Sequence, residues 1–330
     1  MKILFYSMRA DEVAPFNEWT KNHPDVQVDQ TDKLFTEETA KLAAGYDGVV
    51  LFQQETYSDA AINILNDLGV KNLSFRNVGV DNINLELVES NGMKLTNVPV
   101  YSPNAIAEHA SFLMGRLLRR VPEYDKKIAR KDLRWAPEIG REIRNQTIGI
   151  IGTGHIGQVL IKIMQGYGAK VVCYDIFRNK ELEEAGMYVD SLDELYKVSD
   201  IITLHVPAVK DNVHMINKDS IAKMKDGVII INVSRGTLVN TDDLLAGLDN
   251  KKIGGAGLDV YEDEVGIFNE TWEGKEFPDA RLNDLMSRDN VIVTPHIAFY
   301  TDEAVHNMVT VSLDSNVKLI QGENPNTLVK

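Results

Sequence analysis

Apolar residues along this chain alternate between two rhythms. Short unbroken runs rich in Val, Ile and Leu, such as Val228-Ile229-Ile230-Ile231, read as strands buried on both faces. Between them lie stretches in which apolar residues recur every three or four positions, the spacing of one helix face. This alternation predicts parallel α/β layers. Over residues 1–100, strands are expected near Ile3–Tyr6, Val26–Val28, Val49–Phe52, Leu73–Arg76 and Lys94–Val98, enough for a small doubly wound sheet. No Gly-rich phosphate loop occurs among them.

At Tyr101-Ser102-Pro103 the pattern changes. Ser102 suits a helix N-cap and Pro103 its first turn, and Ile106, Ala110, Leu113 and Leu117 then repeat at helical spacing. A second set of strands follows near Thr147–Ile151, Lys170–Tyr174, Ile201–Leu204, Val228–Ile231, Ala256–Val260 and Val291–Thr294. After His296 comes one more long helix. Thr301 is its cap, Asp302 and Glu303 fill its first turn, and Val305, Val309, Leu313, Val317 and Ile320 form its stripe. It comes too late to complete the second sheet and is expected to return to the first. The domains predicted are therefore 1–100 plus 300–330, and an inserted 101–299, with a cleft between them.

The most informative stretch is Thr147-Ile148-Gly149-Ile150-Ile151-Gly152-Thr153-Gly154-His155-Ile156-Gly157. An apolar strand runs into G-x-G-x-x-G, a helical pattern follows, and the next strand ends on Asp175. This is the signature of a dinucleotide-binding βαβ unit in a Rossmann domain. Gly152 permits the tight turn, Gly154 the approach of a pyrophosphate, and Gly157 close packing of the helix. The backbone of His155 and Ile156 opens that helix, where N–H groups favour an anion. A Gly-rich turn without a ligand is the plainer alternative. Asp175 points to NAD, because a carboxylate bonds the ribose hydroxyls and repels a 2′-phosphate. Arg178, three residues on, partly offsets that repulsion.

Three ionisable residues follow strands of the second set: Arg235, Glu264 and His296. In a parallel sheet all three emerge at the carboxyl edge, where a dinucleotide lies. Singly they read equally well as a surface Arg, a Glu in a helix's first turn and a core His. Together they fit hydride transfer at a 2-oxo or 2-hydroxy acid. Arg holds the carboxylate and polarises the carbonyl, His moves the proton, and a carboxylate beside the imidazole favours its charged form. Val233 and Ser234 precede Arg235 on the cofactor side. Asp259 is a candidate for the nicotinamide carboxamide, with a turn role as its alternative. Val206 and Pro207, after His205, belong near the adenosine, and Asn212 near a phosphate or ribose. His23, His109, His214 and His306 have no clustered partners in the sequence and are assigned no function. No Cys/His spacing suggests a metal.

Composition narrows the classes. With 330 residues and 44% hydrophobic content the chain is globular and long enough for two domains. A net charge of −14 argues against nucleic acid as a partner, although residues 116–144 hold ten Lys/Arg against five Asp/Glu. The single cysteine, Cys173, excludes an intrachain disulfide and fits a reducing compartment. Neither a signal peptide nor an apolar run of membrane-spanning length is visible, so a cytoplasmic location is expected.

The chain resembles the D-isomer-specific 2-hydroxyacid dehydrogenase family over essentially its whole length. The motifs that carry the resemblance are Gly152-Thr153-Gly154-His155-Ile156-Gly157, Asn232-Val233-Ser234-Arg235-Gly236, Leu258-Asp259-Val260-Tyr261-Glu262-Asp263-Glu264 and Thr294-Pro295-His296. Within that family it is similar to the members of lactic acid bacteria. The segments responsible are Arg76–Ile83, Val98–Glu108, Asp132–Pro137 and Gly266–Asn269. The resemblance implies a flavodoxin-like substrate domain and a homodimer that reduces pyruvate to D-lactate with NADH. It implies Arg235 on the substrate carboxylate and carbonyl, His296 as proton donor and Glu264 as its partner. Val78, Gly79 and Tyr101 would hold the carboxylate end, with Phe52 and Phe299 lining the side-chain pocket. Phe52 departs from the Tyr of pyruvate-specific members, which makes the wall more apolar and roomier. Two alternatives stay open: a dehydrogenase for larger acids such as 2-oxoisocaproate or phenylpyruvate, and a non-enzymatic NAD-sensing corepressor of the same fold.

Overall fold

A computed structural model describes residues 1–329. The chain divides into two units, Met1–Ser102 with Tyr300–Lys330, and Pro103–Phe299. Among the described residues no helix is long and apolar enough to cross a membrane.

The first unit is built on five parallel strands: β1 (Lys2–Phe5), β2 (Gln27–Gln30), β3 (Gly48–Leu51), β4 (Asn72–Phe75) and β5 (Lys94–Thr96). Their order is β2-β1-β3-β4-β5, the flavodoxin-like arrangement. Side chains alternate across the sheet. Leu4, Tyr6, Val49 and Leu51 enter one buried cluster, while Ile3, Phe5 and Val50 enter another with Val309 and Leu313. Full burial of each such aliphatic contributes roughly 1.5–3 kcal/mol. Val309 and Leu313 lie on the helix Asp302–Ile320, capped by Thr301, whose hydroxyl accepts from the Ala304 N–H at 3.3 Å. The stripe read from the sequence thus covers β3 and β4, and Asn316 on the same helix donates to the carbonyls of Val49 and Asn72.

The second unit has six parallel strands: β6 (Thr147–Ile151), β7 (Lys170–Tyr174), β8 (Ile201–Leu204), β9 (Val228–Asn232), β10 (Ile253–Leu258) and β11 (Val291–Val293). Their order is β11-β10-β9-β8-β6-β7, and Cys173 in β7 forms a parallel bridge to Tyr188. That bridge stands where a doubly wound sheet places a further edge strand. The strand order reverses between β6 and β8, the switch point at which such folds take a nucleotide. The helix Pro103–Leu118 packs on β9 and β10, and Gly257 lets Leu113 approach the strand directly.

Candidate active site

The glycine loop joins β6 to the helix His155–Gly166. Gly152 has φ +98°, and a Cβ there would lie 2.5 Å from the His205 carbonyl oxygen. A Cβ on Gly157 would lie 2.1 Å from the Gly152 carbonyl oxygen, so this position seats the helix against the turn. Around Gly154, by contrast, a Cβ would meet nothing within 4 Å. Two glycines are thus required by backbone approach, and the third opens onto space at a helix N-terminus. This fits a pyrophosphate seated on the first-turn N–H groups of His155, Ile156 and Gly157.

Asp175 follows β7 and faces this loop. Its Oδ2 accepts from the Thr153 N–H at 2.6 Å and the Thr153 hydroxyl at 3.1 Å, and its Oδ1 from the Phe177 N–H at 2.9 Å. Arg178 turns elsewhere, bonding Glu183 at 3.3 Å and Asp190 at 3.5 Å. On the next edge loop, Ser234 donates its hydroxyl to the Val206 carbonyl, tying the segment after β9 to the one after β8. Val233 lies buried beside it, and Pro207 accepts from the Asn212 amide at 2.8 Å. Asn212 also accepts from the Val209 N–H at 2.8 Å, so its side chain closes its own loop.

Arg235, Glu264 and His296 follow β9, β10 and β11, which are neighbours in the sheet. Adjacent strands lie about 4.8 Å apart, so strand order alone brings the three loops together at one edge. His296 Nδ1 meets Glu264 Oε1 at 2.6 Å. Glu264 Oε2 accepts from the Tyr261 N–H at 2.8 Å, which fixes the carboxylate to its own turn. With Nδ1 committed, Nε2 is the nitrogen left to carry an exchangeable proton. The Phe299 ring stands edge-on to the imidazole at 6.3 Å between centroids. Arg235 Nη1 donates to the Ser234 carbonyl at 2.9 Å, and Asn232 donates to the Arg235 carbonyl at 2.8 Å. At the next position a Cβ on Gly236 would lie 2.1 Å from the Tyr261 carbonyl, so the Arg235 turn rests on the Glu264 turn.

Asp259 is fully buried, and both its oxygens are occupied. Oδ1 accepts from the Thr294 hydroxyl at 2.5 Å and the Ile297 N–H at 2.9 Å, and Oδ2 from the Ala298 N–H at 2.8 Å. The His296 N–H donates to the Asp259 carbonyl at 2.8 Å. His296 has φ +56°, an uncommon backbone conformation for a non-glycine residue. Asp259 therefore anchors the loop that aims His296.

Two histidines left unassigned by the sequence acquire partners distant along the chain, whereas His23 meets the Trp19 carbonyl four residues back at 2.8 Å. His109 Nε2 lies 2.9 Å from the Thr294 hydroxyl and 3.4 Å from Asp259 Oδ1, bracing the same anchor from the helix Pro103–Leu118. His214 Nε2 lies 2.6 Å from Glu262, which also accepts from the Thr241 hydroxyl at 2.8 Å. Their partners lie 185 and 48 residues away, a separation at which no sequence periodicity signals contact.

In the first unit the remaining candidates also follow strands. Phe52 comes after β3, Val78 and Gly79 after β4, and Tyr101 after β5. Asn77 donates to the Gly79 carbonyl and Asn97 to the Val78 carbonyl, both at 2.6 Å, which holds that loop in one shape. The Tyr101 carbonyl accepts from Asn307 at 2.7 Å. The Phe52 ring is flanked by two guanidinium groups, Arg9 at 4.6 Å and Arg76 at 5.4 Å from its centroid. Arg76 is completely buried, with Nε 2.9 Å from Glu12. Burial pushes its guanidinium down to about 10 despite that carboxylate.

The family model described as D-isomer specific 2-hydroxyacid dehydrogenase, NAD binding domain, matches residues 111–298. A D-lactate dehydrogenase of Lactobacillus delbrueckii subsp. bulgaricus is 59% identical over 329 residues, covering 100% of this chain and 99% of that protein. Among solved structures, a D-2-hydroxyisocaproate dehydrogenase superposes with a TM-score of 0.92 at 38% identity, covering 100% of this chain and 99% of the other. The NAD-complexed form of a D-isomer specific 2-hydroxyacid dehydrogenase from Lactobacillus delbrueckii ssp. bulgaricus superposes with a TM-score of 0.87 at 34% identity and full coverage of both chains.

Proposed function

Because the chain belongs to the D-isomer specific 2-hydroxyacid dehydrogenase family, we propose that it reduces pyruvate to D-lactate with NADH. The observation that carries this reading is the His296–Glu264 pair, at 2.6 Å, on the loops after β10 and β11 beside the one that bears Arg235. Nicotinamide supplies the hydride. Arg235 binds the substrate carboxylate and polarises the carbonyl. His296 gives its Nε2 proton to the oxygen as it becomes an alkoxide, and Glu264 stabilises the imidazolium before that transfer. Val78, Gly79 and Tyr101 hold the carboxylate end, while Phe52 and Phe299 line the wall that meets the methyl group. Gly152, Gly154, His155, Ile156, Gly157 and Asp175 take the pyrophosphate and ribose, with Val206, Pro207, Asn212, Val233 and Ser234 beside them. Asp259 acts here through the loop it anchors. The test is NADH oxidation with pyruvate, followed by stereospecific detection of the product. No turnover, with NADH binding intact, would favour the corepressor reading.

Phe52 favours a second reading, reduction of larger 2-oxo acids, because the position lacks a hydroxyl, its ring being held by the Arg9 and Arg76 guanidinium groups. The ratio of kcat/KM for pyruvate to that for phenylpyruvate separates the two. We also propose a homodimer. Leu133, Trp135 and Ile139 of the second unit are 81%, 82% and 84% exposed within seven residues of chain, which supports a partner copy covering this segment. Sedimentation velocity should give twice the chain mass, and Trp135→Asp should shift it toward monomer. The buried lone thiol of Cys173 supports a reducing, cytoplasmic setting, which cell fractionation tests.

A further inference from the structure

Discrimination against a 2′-phosphate is usually credited to the acidic residue at the end of the second strand of the nucleotide sheet, and acceptance of it to a nearby Arg. This chain has both, three residues apart: Asp175 and Arg178. What differs is how each is held. Asp175 is presented to the glycine loop by Thr153, whose hydroxyl meets the Tyr188 hydroxyl at 2.6 Å. Arg178 is held by a different set of partners. Its Nη1 bonds Glu183 at 3.3 Å, and its Nη2 bonds the Val189 carbonyl at 3.3 Å and Asp190 at 3.5 Å. Its guanidinium carbon sits 5.3 Å over the Tyr188 ring. Glu183 lies on the helix Lys180–Glu184, and the other partners flank the bridge that pairs Tyr188 with β7.

Tyr188 thus serves both groups, its hydroxyl orienting the Thr153–Asp175 pair and its ring backing Arg178. We propose that Glu183, Asp190 and Tyr188 are specificity-determining positioning residues that sequester Arg178, a latent 2′-phosphate ligand, and so make the ribose end selective for NAD over NADP. The inference rests on the NAD reading of the glycine loop. It departs from a mechanism in which Asp175 acts alone, because it predicts that deleting the Asp175 charge leaves most of the available NADP affinity unrealised.

The two ion pairs are solvent-exposed and individually weak, so loosening Arg178, which keeps the Val189 carbonyl and the Tyr188 ring, requires removing both. The test measures dissociation constants of NADH and NADPH by isothermal titration calorimetry on the full chain, free of substrate. Four proteins are compared: native, Asp175→Ser, Asp175→Ser/Glu183→Gln/Asp190→Asn, and that triple variant with Arg178→Ala added. Removing Asp175 should tighten NADPH binding by relieving repulsion. Adding Glu183→Gln and Asp190→Asn should tighten it about fivefold further, the scale of two exposed ion pairs, while NADH affinity moves less than twofold. Arg178→Ala should erase that increment. An increment that is absent, or that survives Arg178→Ala, overturns the proposal. The second result would mean that the two carboxylates act by bulk charge alone. Failure of the native chain to bind NADH would instead overturn the NAD reading, so the two failures are distinct.

Discussion

Asp259→Asn separates anchoring of the catalytic loop from contact with the cofactor. The carboxylate accepts three hydrogen bonds from the 294–298 segment while fully buried. An amide of the same size keeps one acceptor oxygen and turns the other position into a donor. With the amide nitrogen at the Oδ2 position, the Ala298 N–H loses its acceptor and meets another donor. A buried, unpaired N–H costs about 1–3 kcal/mol, and the surviving bonds lose their charge assistance. The expected loss of stability is about 3 kcal/mol. For a unit the size of Pro103–Phe299, that lowers the melting temperature by roughly 6–12 °C. The same bonds impose the left-handed backbone of His296, so the imidazole loses its aim, and kcat for pyruvate reduction should fall about 10- to 100-fold. Calorimetric melting, stopped-flow NADH absorbance and NADH titration give the three readouts. If Asp259 anchors the loop, kcat and melting temperature fall while the Kd for NADH stays within about threefold. Native stability with a loss confined to NADH affinity would refute this reasoning and return Asp259 to the carboxamide.

His296→Ala should lower pyruvate reduction by about three orders of magnitude or more, with NADH binding retained. Turnover near the native rate would remove His296 from the proton transfer. Gly157→Ala places a Cβ 2.1 Å from a backbone oxygen that cannot swing away. It should cost about 1–3 kcal/mol of stability and weaken NADH binding at least tenfold, read by titration. His205 supplies a pH test: its ring Nδ1 is buried without a partner, and burial pushes the imidazole down to about 3. The unfolded chain protonates near 6.5. The contribution of this site is therefore full above that value and is lost as pH falls from about 6.5 toward 3, with a slope of at most about 1.4 kcal/mol per pH unit. Urea unfolding of His205→Asn should lack that slope, and parallel acid limbs in the two proteins would contradict it.

The sequence by itself determined what is local. A strand that alternates or stays apolar, a cap such as Thr301, and a glycine such as Gly157, seated on the Gly152 carbonyl, depend on neighbours a few residues away. Both sheets and the glycine loop were legible on those grounds. The appearance of Arg235, Glu264 and His296 after successive strands was legible too, because parallel strands deliver their following loops to one edge. That Glu264 grips His296 at Nδ1 depends on β10 and β11 being adjacent, and strand order is a property of the whole sheet. Residues far apart along the chain meet only once that order is set. His109 reaches Thr294 and Asp259 from another helix, and both oxygens of Asp259 turn to a segment more than thirty residues on. Arg178 shows the same division. Its closeness to Asp175 in the chain suggested that it offsets the carboxylate, and tertiary structure decided otherwise. A long cationic side chain goes to whichever anions and ring the fold brings within reach, here Glu183, Asp190 and Tyr188.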